Sequence, residues 1–242
     1  MTEHPGFGAL LARSSRHRGL DAGGLAGLAG VPEPDLREVL DGAAPDPALL
    51  HRLAPALNLR TPDVFALAGV DVPEELAPLD STAGSGVPRL VMKARRLSPG
   101  RRAALLAFVR GLPQEERTRP VPSPRPYERY EPSFGAVLVR MLANRNLTWS
   151  GGARALYSMS GLYLSAATVG QMGHGRLPIT PDFLVASAHT LGIPAGHLAA
   201  LADLPLPGES APGPMLIDAA ELIWETRRLS FAQVSRCHLM RW

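Results

Sequence analysis

Three small polar side chains recur at every third position in the second half of the chain. Ser165, Thr168 and Gln171 share one face of a helix, because residues three or four positions apart are neighbours on a helical surface. A glutamine amide can form two hydrogen bonds with adenine, and serine and threonine hydroxyls can bond bases or phosphates. The spacing predicts a face that contacts nucleic acid, and the alternative is a neutral face exposed to water.

Side chains that can carry positive charge flank this segment. Arg154, His174 and Arg176 are placed to hold a sugar-phosphate backbone beside the polar face, and neutralisation of phosphates supplies much of the affinity of proteins for DNA. Gly170 lies inside the same predicted helix and lowers its intrinsic stability. That glycine counts against a rigid reading helix.

The middle of the chain is strongly basic. Residues 89–130 hold 11 basic and 3 acidic side chains, whereas residues 1–88 hold 6 basic and 12 acidic ones. The arginines flank an apolar stripe, so we predict an amphipathic helix whose cations are solvated, contact phosphates nonspecifically, or dock on the acidic first domain. The candidate phosphate contacts are Lys93, Arg95, Arg96, Arg101 and Arg102.

The sequence contains no motif typical of catalysis or metal binding. A phosphate-binding glycine loop, a nucleophile elbow and a pair of histidines at metal-ligand spacing are all missing. His174, His189 and His197 are the closest histidines, and no carboxylate or cysteine is spaced to join them. Cys237 is the only cysteine, which excludes an internal disulfide and a cysteine zinc cluster. We expect no enzyme activity, no cofactor and no metal.

The composition indicates a globular protein without a membrane-spanning segment. The hydrophobic content is 45%, and no apolar run approaches the roughly 20 residues that span a bilayer. Residues 1–5 lack a basic stretch followed by an apolar one, so no secretory signal is expected. We therefore expect a cytoplasmic location and no membrane partner.

The elements that must position these residues form a unit that occurs twice. Three pairs of segments match at offsets of 127, 134 and 132 residues. Offsets that differ by only a few residues indicate a duplication with small changes in loop length. The matched pairs are residues 7–13 with 134–140, residues 57–59 with 191–193, and residues 95–98 with 227–230.

Each copy is predicted to fold as five short helices. In the first copy a glycine ends each of the first three helices, because glycine adopts a left-handed cap without a steric penalty. Asp46-Pro47 and Thr61-Pro62 then open the fourth and fifth helices. The three glycines are Gly19, Gly30 and Gly42, and the helices of the second copy are expected near residues 134–145, 149–157, 165–172, 180–191 and 194–201.

An amphipathic helical extension follows each copy. The first covers about residues 88–112 and the second about 214–242, where Ser230 with Gln233 matches a capping box. Between the halves lies a proline-rich linker that contains Tyr127 and Tyr130. The two tyrosines are either a docking motif or rings that pack on a neighbouring domain. The predicted boundaries are 1–70 for the first domain, 71–117 for its linker and basic extension, 118–132 for the proline-rich linker, 133–205 for the second domain and 206–242 for the C-terminal extension.

Leu20 to Gly42, together with residues 44–59, resembles the lambda-repressor-like, Xre-type DNA-binding domain. That family's pattern is a Leu-Ala pair, a Gly-Val turn and a recognition helix that ends in glycine. A further helix follows, which begins at a proline and ends with the sequence Ala-x-x-Leu. The corresponding features here are Leu25-Ala26, Gly30-Val31, Gly42, Pro45 or Pro47, and Ala54 to Leu57. The resemblance implies an all-α protein of two tandem five-helix, helix-turn-helix bundles, in which the second helix of the pair lies in the major groove.

The first copy departs from the family where DNA would be contacted. The second helix of the family usually begins with a glutamine that bonds a phosphate, and Ala22 stands at that place. The third helix, within residues 32–41, carries four acids and one base, a charge that opposes binding to a polyanion. We predict that the first copy does not bind DNA by itself. The third helix of the second copy contains no acid.

These observations predict a transcriptional regulator that binds double-stranded DNA mainly through its second domain. The first domain is expected to serve dimerisation, as in a homodimer, intramolecular docking, or binding of a protein partner to its acidic surface. The alternative is a protein-interaction scaffold in which both domains have lost affinity for DNA.

Overall fold

The structure is a computed structural model that describes residues 5–206, 211–240 and 242. All regular secondary structure in these ranges is helical, so the all-α prediction is confirmed, and no described helix is long and apolar enough to cross a membrane. Two parts of the chain for which predictions are made lie partly outside the described residues. They are residues 1–4, where no secretory signal is predicted, and residues 207–210 and 241 of the predicted C-terminal extension. The helices are α1 (Phe7–His17), α2 (Ala22–Ala29), α3 (Glu33–Leu40), α4 (Pro47–Leu57), α5 (Thr61–Ala68), α6 (Val87–Arg95), α7 (Pro99–Gly111), α8 (Phe134–Ala143), α9 (Trp149–Ser160), α10 (Ala166–Gly173), α11 (Pro181–Leu191), α12 (Ala195–Ala202), α13 (Pro214–Thr226) and α14 (Phe231–Leu239).

Helices α1–α5 form a first unit and α8–α12 a second unit with corresponding packing. In each unit the third helix packs on the first and second, and the second and fifth pack on the fourth. Gly8 of α1 and Gly135 of α8, which are equivalent in the repeat, lie against the end of the third helix. A Cβ on Gly8 would be 2.5 Å from the carbonyl oxygen of Val39, and one on Gly135 would overlap that of Met172. Glycine is needed at both positions because the two helices approach so closely.

Side-chain caps begin several helices at the predicted residues. Asp46 accepts a hydrogen bond from the backbone N–H of Leu49 at 2.7 Å, and Ser230 and Gln233 form the predicted capping box. These bonds satisfy N–H groups that have no partner inside the helix. Two boundaries of the second unit differ from the prediction by more than one residue: α8 ends at Ala143, before residue 145, and α9 extends past residue 157 to Ser160.

The two units pack on each other reciprocally. The first helix of the first unit, α1, lies against α12, the fifth helix of the second unit, and α5 lies against α8 in the same manner. One face of each unit is therefore covered by the other unit of the same chain.

A buried ion pair lies at the α5–α8 side of this interface. Arg145 Nη1 and Nη2 donate to Asp63 Oδ1 and Oδ2 at 2.8 and 2.9 Å, and both side chains are fully buried. The side-chain amide of Asn144 donates to Asp63 Oδ1 at 3.2 Å. Trp224 of α13 contributes an aromatic ring whose centroid is 5.4 Å from the Arg145 guanidinium carbon. These bonds compensate two charges that have been removed from water.

A histidine lies at the α1–α12 side of the same interface. His197 Nε2 is 2.7 Å from Ser14 Oγ, and the ring of His17 stacks on that of His197 with centroids 5.6 Å apart. Burial, assisted by the positive charge of His17 and Arg18, lowers the pKa of His197 to about 4. The imidazole of His197 is therefore neutral at pH 7.

The two extensions pack together as a second apolar core. Helices α6, α7, α13 and α14 contribute its buried side chains, and α6 also packs on α9 of the second unit. Arg102 pairs with Asp218 at 3.0 Å, and Arg110 pairs with Glu221 and Glu225 at 3.1 and 2.9 Å. These acids belong to α13, so the alternative in which the basic extension docks on the acidic first domain does not hold for these two arginines.

Candidate nucleic-acid interface

Helix α10 presents the predicted polar side chains along one edge. Ser165 is the N-cap, and its Oγ accepts from the backbone N–H of Thr168 at 3.0 Å and lies 2.8 Å from the Thr168 hydroxyl. Gln171 is exposed, and no described residue forms a hydrogen bond with its side-chain amide. Val169 and Met172 are buried on the opposite face. The arrangement leaves one glutamine amide and two hydroxyl groups at the surface of α10.

Gly170 has a packing role in α10. A Cβ at this position would lie 2.5 Å from the ring of Trp149, the first residue of α9. The absence of a side chain lets the indole sit against the backbone of α10. The glycine that weakens the helix by intrinsic propensity thus permits close packing of α9 on α10.

The proline-rich linker is anchored on this same packing site. Trp149 Nε1 donates to Tyr130 Oη at 2.6 Å, and the Tyr127 and Trp149 ring centroids are 5.1 Å apart. Burial raises the pKa of the Tyr130 hydroxyl. His174 Nε2 lies 2.9 Å from the Tyr127 carbonyl oxygen, and its ring is 4.9 Å from that of Tyr130. His174, which the sequence suggests for DNA contact, is half-buried and contacts the linker.

Two of the arginines predicted to contact the DNA backbone are exposed beside α10. Arg154 lies on α9 and Arg176 lies just after α10, both with exposed side chains. Neither guanidinium forms an ion pair or a hydrogen bond with the residues that the structure describes. Their charge is therefore available to a phosphate.

Three of the five candidate phosphate contacts in the basic extension are committed to the protein itself. Lys93 donates to the carbonyl oxygens of His238 and Met240 at 2.8 and 2.6 Å. Arg95 donates to the carbonyl oxygen of Ser158. Arg102 is buried in its pair with Asp218, so it is not accessible to a phosphate. Arg96 and Arg101 are exposed, and their side chains form no hydrogen bond or ion pair with the described residues.

A groove of about 400 Å³ runs between α6, α9 and the turn that precedes α10, and we call it the α6–α9 groove. The side chains that form its walls include Arg89, Met92, Arg154, Tyr157, Tyr163 and Leu164. The sequence suggests Arg154 for the site but not Arg89 or the two tyrosines. The only signal for Arg89 is its place in the basic segment, because nothing in the sequence shows that α6 packs on α9.

A second cavity, of about 560 Å³, is lined by Arg117, Arg227 and Arg228. All three guanidinium groups donate to backbone carbonyl oxygens, for example Arg117 to that of Leu79 and Arg228 to that of Leu112. Burial lowers the pKa of Arg227 to about 10. These arginines hold loops in place, and at least two nitrogens of each guanidinium already take part in hydrogen bonds or ion pairs.

Helix α3, the counterpart of α10 in the first unit, presents acids. Asp35 and Glu38 are exposed, and Arg37, its only base, pairs with Glu33 at 2.5 Å. The exposed edge is therefore acidic where that of α10 is neutral.

No group of three or more histidine, cysteine, aspartate or glutamate side chains in the described residues is arranged to hold a metal ion. No family model, curated protein or solved structure matches this chain.

Proposed function

We propose that this protein is a DNA-binding transcriptional regulator built from two lambda-repressor-like helix-turn-helix units, and that α10 of the second unit reads DNA. The observation that carries the proposal is the contrast between the exposed edges of α10 and α3. Gln171 projects from a neutral edge beside the free cations Arg154 and Arg176, whereas α3 exposes acids. A polyanion is attracted to the first surface and repelled by the second.

The packing within the second unit is consistent with this role. Helix α10 is held by α8 and α9 on its buried side, which leaves Ser165 and Gln171 exposed. A recognition helix needs this combination of a fixed buried face and free polar groups on the outer face. Arg154 and Arg176 would then position the phosphate backbone.

The first unit would act as an internal partner of the second. Its α1 and α5 faces are covered by α12 and α8 of the same chain, so a homodimer would have to use another surface. The acidic edge of α3 stays exposed and is the surface we propose for a basic protein partner.

One observation favours the alternative of an interaction scaffold. Trp149 stands at the start of α9, where the family that this chain resembles has a phosphate-binding glutamine. Its indole N–H is bonded to Tyr130 of the linker. This indole N–H is therefore not available to a phosphate, and a scaffold needs no such donor.

Titration of the intact protein against fragments of genomic DNA at low and physiological salt distinguishes the two functions. We expect selective binding of a few fragments that weakens steeply with salt. Gln171→Ala with Arg176→Ala should reduce affinity by about tenfold or more, since a good base contact contributes roughly 1–3 kcal/mol. Arg16→Ala, which removes an exposed arginine of α1, is the matched control and should leave affinity unchanged. An unchanged affinity in the double variant, or no selective binding by the wild type, would contradict the proposal.

A further inference from the structure

We infer that the α6–α9 groove binds a backbone phosphate of the same DNA that α10 reads, so that the first extension completes the interface of the second unit. This inference rests on the proposed function. It adds Arg89, Tyr157 and Tyr163 to the DNA-contacting surface, with Arg89 supplied by a helix outside the five-helix unit.

The charge of the groove is positive and uncompensated. Arg89 of α6 and Arg154 of α9 both line it, both are exposed, and neither forms an ion pair with a described residue. No aspartate or glutamate is among the lining residues. Two arginines that face a shared groove without an acid provide the neutralisation that a phosphodiester requires.

Exposed aromatic rings form the outer part of the groove. Tyr157 and Tyr163 are 51% and 84% exposed, and their rings meet edge to face with centroids 6.2 Å apart. Tyrosine rings offer an apolar face to a deoxyribose and a hydroxyl to a phosphate oxygen. Two such rings beside two free arginines match the mixed chemistry of a sugar-phosphate backbone.

A buried hydroxyl among the lining residues supports the presence of a ligand. Ser158 lines the groove and is 2% exposed, and its Oγ has no hydrogen-bond partner among the described residues. A buried polar atom without a partner is uncommon and costly. Because Oγ itself is out of reach of solvent, a phosphate oxygen in the groove would supply the missing bond once the Ser158 side chain rotates toward it.

The position of the groove identifies DNA as the occupant. Leu164 and Ala166, the residues on either side of the N-cap Ser165, both line it. A duplex that contacts Ser165 and Gln171 therefore continues over the groove. Arg95 fixes α6 at this place through its bond to the Ser158 carbonyl oxygen. An acidic peptide would meet the same arginines but would have no reason to depend on α10.

The test compares three single variants of the full chain, Arg89→Ala, Gln171→Ala and Arg16→Ala, on the selected DNA fragment at several salt concentrations. Loss of one phosphate contact should lower the slope of log affinity against log salt by about 0.9. We expect Arg89→Ala to lose about this much slope and roughly five- to tenfold in affinity, and Arg89→Lys to recover most of both. Arg16→Ala should match the wild type in each measurement.

The outcomes separate this inference from the proposed function. If Gln171→Ala weakens binding while Arg89→Ala keeps the affinity and salt slope of the wild type, the groove does not contact DNA and the proposed function stands. If the wild type binds no fragment selectively, both fail. Tyr163→Ala removes an exposed ring and should weaken DNA binding severalfold. An acidic peptide that binds the groove without competing with DNA would overturn the choice of occupant.

Discussion

Asp63 and His197 occupy the same position of the repeat, 134 residues apart, and each contacts the first helix of the other unit or the turn that follows it. Asp63 bonds Arg145, just after α8, whereas His197 bonds Ser14 of α1. The repeat equivalent of Arg145, at an offset of 127 residues, is Arg18, which lies close enough to His197 to lower its pKa. The two units thus form an internal dimer in which equivalent positions have acquired different polar partners.

The stability of this interface should depend on pH through His197. Its folded-state pKa is about 4, below the ordinary value of about 6.5. Between these two values the unfolded chain binds a proton that the folded chain does not, so stability is full above pH 6.5 and falls as the pH drops toward 4. The shift corresponds to about 3 kcal/mol. Urea unfolding of the wild type and of His197→Asn from pH 7.5 to 4.5 measures it.

The difference in the free energy of unfolding between the wild type and His197→Asn, followed against pH, gives the contribution of His197 alone. His238, whose pKa burial also lowers, contributes with the same sign but is present in both. His197→Asn keeps a hydrogen-bonding group for Ser14 and cannot titrate in this range. Parallel stability curves for the wild type and the variant would contradict the prediction.

Breaking the Asp63–Arg145 pair should strongly destabilise the protein. Asp63→Asn leaves the fully buried Arg145 guanidinium without its counter-charge, and we expect a loss of about 3–5 kcal/mol in the free energy of unfolding. Replacing both residues, as in Asp63→Leu with Arg145→Met, should cost less than the single change because no buried charge remains. Chemical denaturation measures both, and Asp35→Asn on the exposed edge of α3 is a control expected to stay within about 0.5 kcal/mol of the wild type. A single variant as stable as this control would refute the idea.

The repeated glycines should respond alike to substitution. Gly8→Ala and Gly135→Ala each place a Cβ against a backbone carbonyl oxygen, and we expect each to cost roughly 1–3 kcal/mol through the displacement of helices. Gly27→Ala is the matched helical control, because its Cβ would meet nothing within 4 Å. That control should stabilise the protein by about 0.5–1 kcal/mol through helix propensity. Melting temperatures that fall for all three variants would show that the close approach is not the cause.

Tyr130 should protect the linker from proteolysis. Its ring is packed near His174 and its hydroxyl accepts from Trp149, so Tyr130→Ala should release the linker and speed tryptic cleavage after Arg129 severalfold; Arg125 precedes Pro126 and is not a tryptic site. Mass spectrometry of timed digests identifies the cut sites. Tyr163→Ala removes an exposed ring at the other end of α9 and should leave the cleavage rate unchanged. Equal rates in the two variants would mean that the tyrosine does not anchor the linker.

Helix content and several helix starts could be predicted from the sequence. Caps such as Asp46 and Ser230 act on N–H groups within the same turn, so local residue order is sufficient to place them. The spacing of three residues between Ser165, Thr168 and Gln171 likewise predicts that they share a face, because helical geometry alone sets that relation. The matched Phe-Gly segments at residues 7–8 and 134–135 indicate the repeat because both glycines meet the same packing requirement.

The partners of the charged side chains were decided only by tertiary structure. Arg96, Arg101, Arg102 and Arg110 all lie in the same basic segment. Arg102 and Arg110 pair with acids of α13 more than 100 residues away, whereas Arg96 and Arg101 are exposed and form no ion pair with the described residues. Arg89 reaches α9 only because the two extensions pack as one core beside the second unit. Such contacts depend on how amphipathic helices bury their apolar faces against each other, and periodicity within one helix does not specify which neighbour it meets.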